Sequence, residues 1–303
     1  MRQDLAALLD DVWNRSLNGR NALSFNEIYA QYEAPSGTHD FLESLHPHHV
    51  QTGKLPDDPE KLLEVYTGYE RENTGAGYLW FASPYFQYDA ATQRVVIHAN
   101  PYKSVILLMK LIINEMLKEP PNPIYGNVNS AKAATLPCFA FGRNDTIIIY
   151  TCDENATHVV ISRLQKWIKE GAVKQGQLIG SLPYLIETAH PGIGWSSEPP
   201  ENVTVLDSYP AKLSFGKYLS QVLQIGLQIF VDNNATSKSV YDRLMQKVLT
   251  LAGFNLDHPH KISTPDAVFL QSVPWPGGQE RKQKALYQRM AKDMGLVPFR
   301  SHN

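Results

Sequence analysis

The chain reads as an α+β protein: a mixed, mainly antiparallel sheet with helices packed on it, a helical N-terminal segment and C-terminal helices. Three observations predict this. The first seventy residues alternate helix-forming and loop text, the middle runs strand, helix, strand, strand, helix, and two further helical stretches follow residue 214. An order of that kind suits helices laid on one side of a sheet.

Leu5, Leu8, Leu9, Val12 and Trp13 recur at helical spacing and Gly19 supplies a stop, so residues 1–18 form an amphipathic opening helix. Phe25 to Tyr32 reads as a second helix, Leu55 to Pro59 as a loop, and Glu60 to Tyr66 as helix. Strand text starts at Gly77 to Phe81 and resumes at Gln93 to Ala99. Asn100 then suits a helix N-cap and Pro101 the first helical position. Val105, Ile106, Leu108, Met109, Ile112, Ile113 and Met116 define that helix, and Pro120-Pro121 ends it. Ile124 to Val128 reads as a short strand, 129–140 as a loop, Thr146 to Thr151 as the central strand and Ala156 to Lys169 as a helix. Ser181 to Trp195 reads as a long ordered loop. Helices follow at Phe215 to Val231 and Ser237 to Gly253. A turn around Pro274 to Gly278 leads to a charged helix, Gln279 to Met294.

Of the 303 residues, 43% are hydrophobic and 19% charged, enough for one large domain or two modest ones. A net charge of −2 gives no global reason to expect nucleic acid or an anionic membrane as partner. No apolar run approaches the roughly 20 residues of a membrane helix. Two cysteines, Cys138 and Cys152, read as reduced buried thiols, and a cytoplasmic location is expected. His46-Pro-His48-His49 and His258-Pro-His260 lack companion ligands at a zinc spacing and read as solvated loop histidines. Gly75-Ala-Gly77 and Gly192-Ile-Gly194 complete no phosphate-loop or dinucleotide pattern.

The chemistry concentrates at Phe141 to Tyr150, where Arg143 and Asp145 precede a β-branched run. An arginine fork matches the oxygens of a phosphate or carboxylate, although an ion pair that merely closes a loop has the same spacing. His98, on the preceding strand, shares a face with Val96. With Lys103, Lys132, Lys212 and Lys217, these residues make a candidate phosphate site.

Arg71 to Tyr78, Arg94 to Pro101, Gly142 to Tyr150, Leu182-Pro183, Pro191 to Gly194 with Glu198-Pro199, and Ser214-Phe-Gly216 occur in an order and spacing that resembles the HopA-type family, named for type III secretion effectors. The resemblance implies an α+β domain similar to phosphothreonine lyases. Relatives pair with a kinase-like phosphotransferase that phosphorylates Ser or Thr of a precursor peptide. The lyase then eliminates phosphate to leave dehydroalanine or dehydrobutyrine, with no metal or other cofactor. It also implies a division into a helical region 1–70, a lyase-type domain 71–235 and a helical extension 236–303 packed on the same body. By this resemblance Arg143 holds phosphate, Asp145 orients it and His98 is the acid; Lys103, Lys212 and Lys217 are expected, from the residues alone, to be further phosphate or peptide contacts. Three positions depart from the family pattern: Asn127 where a lysine base is expected, Phe141 for a tyrosine and Leu219 for an arginine. An amide cannot replace a lysine base. Lys132 or Lys103 then serves as base, the site is rebuilt around His98 or His190, or elimination is lost and a peptide-binding or kinase-partner subunit remains. An effector acting inside a host is a third expectation, resting on the family name.

Overall fold

The computed structural model describes residues 1–16, 18–24, 27–29, 32, 71–73, 78–83, 91–117, 125–134, 143–200 and 214–266. The expectations for Leu55 to Tyr66, His46 to His49, Cys138 and Pro274 to Met294 lie outside those residues. The chain divides into two compact units, one of residues 33–197 and one of residues 1–32 with 198–303. Among the described residues no helix is long and apolar enough to cross a membrane.

The 33–197 unit contains a seven-stranded sheet. Its strands are β1 (Arg71–Asn73), β2 (Tyr78–Ala82), β3 (Gln93–Ile97), β4 (Val128–Ala134), β5 (Ile147–Thr151), β6 (Glu187–His190) and β7 (Ile193–Ser197), in the order β1-β2-β4-β5-β3-β7-β6. Each neighbouring pair is antiparallel. Two helices pack on one face, α2 (Tyr102–Ile112) and α3 (Glu154–Lys169). Phe81, Val95, Ile97, Ala131, Ala133, Ile147, Ile149, Ile193 and Trp195 meet Val105, Leu108, Met109 and Ile112 of α2 and Val160, Leu164 and Trp167 of α3 in one apolar cluster. Because successive strand residues point to opposite faces, the intervening positions turn to the other side. There Ser130, Tyr150, Arg94 and Ser196 form one cross-strand row, and Lys132, Ile148 and Val96 the next.

The α+β class agrees with the sequence reading, and several element assignments do not: of the expected strand Ile124 to Val128, residues 125–127 form a turn and the strand starts only at Val128. Residues 129–134 form most of β4 rather than a loop. The run Asn-Ser-Ala-Lys-Ala-Ala offers no β-branched residue, so its extended form comes from pairing with β2 and β5 on either side. The expected loop 181–195 contains the β6–β7 hairpin, closed at Gly192, whose φ of +77° suits a residue without a Cβ. The α2 start also moves by one residue: Pro101, not Asn100, occupies the N-cap position, without a side-chain cap. Asn100 instead donates its backbone N–H to Gln177. Past Ile112 the helix widens into a π turn over Ile113–Leu117.

In the other unit α1 (Gln3–Arg15), α4 (Phe215–Asp232) and α5 (Lys238–Leu251) form a helical core. Trp13 of α1 meets Phe230 edge-on at 5.7 Å and Tyr241 at 5.0 Å. Ser214 caps α4 through the Lys217 N–H. Gly216 of the same Ser-Phe-Gly motif is required because a Cβ there would stand 2.3 Å from the Tyr32 ring. His260, expected in solvent, is buried, and its Nδ1 accepts from Arg2 Nη1 at 3.3 Å. Cys152, expected to be a buried thiol, is half-buried.

Candidate active site

The polar face of the sheet carries the site. Arg143, immediately before β5, lies flat against Asp145: Nε donates to Oδ1 at 2.8 Å and Nη2 to Oδ2 at 2.9 Å. Both side chains are only 6% exposed. A buried fork-to-carboxylate pair needs its remaining lone pairs satisfied. Tyr78 of β2 supplies this, its hydroxyl donating to Asp145 Oδ1 at 2.8 Å and to the Asp145 carbonyl at 3.0 Å. Burial by itself would raise the Asp145 pKa. The Arg143 guanidinium, the nearby Lys132 charge and the Tyr78 hydroxyl outweigh it and hold the carboxyl below its ordinary value.

Lys132 of β4 comes to the same place. Its Nζ stands 4.5 Å from the centre of the Tyr78 ring and 5.8 Å from that of Tyr150, while Arg143 Cζ is 5.0 Å from Tyr78. Arg94 Cζ lies 5.6 Å from the Tyr150 ring. Among the described residues the cluster therefore brings together three cations, two aromatic rings and one carboxylate.

His98 follows β3 directly and is 8% exposed. Its backbone is anchored on both sides, N–H to Gly192 at 2.8 Å and carbonyl to the Ile179 N–H at 2.9 Å. The ring Nδ1 lies 2.7 Å from the Ser181 carbonyl, which only accepts, so Nδ1 carries the proton and Nε2 holds a lone pair. Burial pushes this imidazole below its ordinary pKa, against the Ser181 hydrogen bond and the field of Asp145, which act to raise it. Burial thus favours the neutral imidazole.

The structure brings Arg143, Asp145 and Lys132 into one cluster, with His98 within the electrostatic reach of Asp145. Lys103 is exposed on the first turn of α2, in the helical layer, and no hydrogen bond or ion pair joins it to the cluster. Lys217 is exposed on α4 in the other unit. Lys212 and Phe141 lie outside the described residues. His190 is on β6, its Nδ1 turned to the carbonyl of Pro191 at 3.1 Å. Asn127, where a lysine was expected, is exposed and donates to Asp153 Oδ2 at 2.6 Å, which ties it to the start of α3. Leu219 is fully buried in α4. Tyr78, Tyr150 and Arg94 were not singled out from the sequence. A strict period of two would have found two of them, since Arg94 shares the face of Val96 and His98, and Tyr150 that of Ile148. Among the described residues no group of acidic, histidine or cysteine side chains is arranged to hold a metal ion.

Fold and site together define an α+β protein with a cationic, aromatic-walled cluster on the sheet face opposite α2 and α3, most of it buried. Two solved structures share its architecture. An effector protein from Pseudomonas syringae pv. tomato strain DC3000 superposes with a TM-score of 0.53 at 14% identity, over 86% of this chain and 98% of its own. An effector protein from Pseudomonas syringae pv. syringae strain 61 gives 0.50 at 14% identity, with the same coverage of 86% and 98%. The likeness is one of fold, and it supports the effector-type architecture that the HopA-type resemblance implies. No family model matches the chain, and no curated protein does.

Proposed function

We propose that the 33–197 unit is a phosphoserine or phosphothreonine lyase acting on a peptide. The observation that carries this reading is Lys132. It extends from a central strand onto the face that carries Arg143 and Asp145, with its ammonium against two aromatic rings and in no ion pair among the described residues. That is a lysine presented to a ligand rather than consumed in a salt bridge.

In the proposed reaction Lys132 meets the phosphate as an ammonium, passes that proton to solvent and, as the amine, removes the α-proton of the phosphorylated residue. The electron pair of that bond forms the Cα–Cβ double bond as the Cβ–O bond to phosphate breaks. Arg143 and Arg94 balance the charge that gathers on the departing phosphate. His98 protonates the leaving oxygen. Its free Nε2 takes up a proton when a dianionic phosphate binds beside it, because a nearby negative charge favours the imidazolium, and returns that proton to the product. The expected substrate is a ribosomally made precursor peptide phosphorylated by a kinase-like partner. Product residues are dehydroalanine and dehydrobutyrine.

A second reading is favoured by the Arg143 fork, whose Nε and Nη2 are both engaged by Asp145, and by the diversion of Asn127 to Asp153. Under it the same cluster binds a phosphorylated peptide, or a kinase partner, without chemistry. Incubating purified protein with phosphothreonine and phosphoserine peptides and following them by mass spectrometry separates the two. Loss of phosphoric acid, abolished in Lys132→Ala and His98→Ala, is the expected result. Tight binding with intact phosphate overturns the lyase reading in favour of the binding module.

A further inference from the structure

We infer that Tyr78 and Tyr150 are positioning residues that hold Lys132 for an anionic substrate group, an assignment that rests on the phosphate-site reading above. The sheet register builds this arrangement. Lys132 pairs with Ile148 on β5, and Tyr150, two residues along that strand, pairs with Ser130. On the other side, position 80 of β2 pairs with Lys132, and Tyr78, two residues along, pairs with Ala134. Both tyrosines are therefore diagonal neighbours of the lysine on one face, within reach of long side chains. Their rings flank the ammonium at 4.5 and 5.8 Å.

Such a bracket has a specific consequence. A lysine has a flexible four-carbon stem, and ordering it on binding is costly. Rings on both neighbouring strands order the stem beforehand. Unlike a carboxylate, a ring face attracts the ammonium without cancelling its charge, so Lys132 keeps its pull on a phosphate. Tyr78 also works through its hydroxyl, which fixes Asp145 and with it the Arg143 fork. Burial explains neither feature by itself: a phenylalanine would fill the Tyr78 site without reaching Asp145, and half-buried Tyr150 presents its ring to two cations.

Double-mutant cycles on the affinity of a phosphothreonine peptide test the assignment. Tyr150→Leu is expected to weaken binding roughly three- to tenfold in the otherwise native protein and by a clearly smaller factor in a Lys132→Ala background, where only Arg94 still faces the ring. Tyr150→Phe, which keeps the ring, is expected to bind like the native protein. Tyr78→Phe is expected to weaken binding in the native background and to be silent with Asp145→Asn. An equal factor in both backgrounds overturns the positioning role. Urea-unfolding cycles on the same variants keep this claim apart from the phosphate reading. Coupling of Tyr150 to Lys132 in unfolding, with no phosphopeptide bound by the native protein, removes the phosphate reading and sustains the bracket. Its absence from both cycles removes the bracket whatever peptide binds.

Discussion

Asp145 is where the residue-scale energetics of the site meet. Its carboxylate takes both fork nitrogens of Arg143 and the Tyr78 hydroxyl in a buried setting. Asp145→Ala strands the Arg143 charge, and removing one partner of a buried pair typically costs about 3–5 kcal/mol. The expected outcome is a large fall in the urea midpoint together with loss of phosphopeptide binding. His98 makes the pH prediction. Its folded pKa is lowered from 6.5, so it favours the folded state fully above that value and loses this contribution as pH falls through the folded pKa. Denaturant midpoints at pH 7.5 and pH 5 are expected to differ more for the native protein than for His98→Asn. An equal drop in both would remove His98 as the titrating group.

At the scale of elements, α3 is held at its start by Asp153, which accepts from the Ala156 N–H at 2.7 Å and also from Asn127. Asp153→Ala is expected to destabilise by about 1 kcal/mol, the usual effect of a lost N-cap, as measured by thermal or urea unfolding. The same geometry predicts that Asn127→Lys gains no phosphate loss, because position 127 is committed to the cap of α3 rather than to the cluster. A gain of activity in that variant would show that the lysine expected by resemblance belongs there after all. Gly192 is the corresponding device for the β6–β7 hairpin. A Cβ there would meet the Ile179 carbonyl at 2.7 Å and would also strain a φ of +77°. Gly192→Ala is expected to cost about 1–3 kcal/mol by overpacking, with lowered affinity because the His98 N–H bonds to the Gly192 carbonyl.

The molecule as a whole divides into a unit made of one continuous stretch and a unit made of both ends of the chain. In the latter, Leu5, Leu8, Leu9, Val12 and Trp13 of α1 are buried, and Tyr241 of α5 donates its hydroxyl to the Leu9 carbonyl at 3.1 Å. Lys238 spans the same two helices, 2.8 Å from Asp10 and paired with Asp242. Each such apolar side chain contributes roughly 1.5–3 kcal/mol on burial, so together the five rival the roughly 5–15 kcal/mol of a whole domain. Deleting residues 1–16 is therefore expected to open α4 and α5 to protease. Limited proteolysis with mass-spectrometric mapping checks this, and protection of residues 214–251 equal to that of the full chain would count against it.

The sequence by itself determined the elements whose signals are local. Leu5, Leu8, Leu9 and Val12 recur at helical spacing, Ile147 to Ile149 is β-branched, and Phe215 to Val231 reads as one helix, so α1, β5 and α4 were legible with the α+β class. Arg143 and Asp145, two residues apart, were legible as a pair for the same reason. Tertiary structure decided β4 and with it the site. Ala131 and Ala133 are too small to mark a buried face, and the extended form of that segment comes from hydrogen bonds to β2 and β5. Only that pairing carries Lys132 from an apparent loop to a position between Tyr78 and Tyr150. The partners of a strand are distant in sequence, so a residue whose role depends on cross-strand neighbours leaves little mark in its own segment.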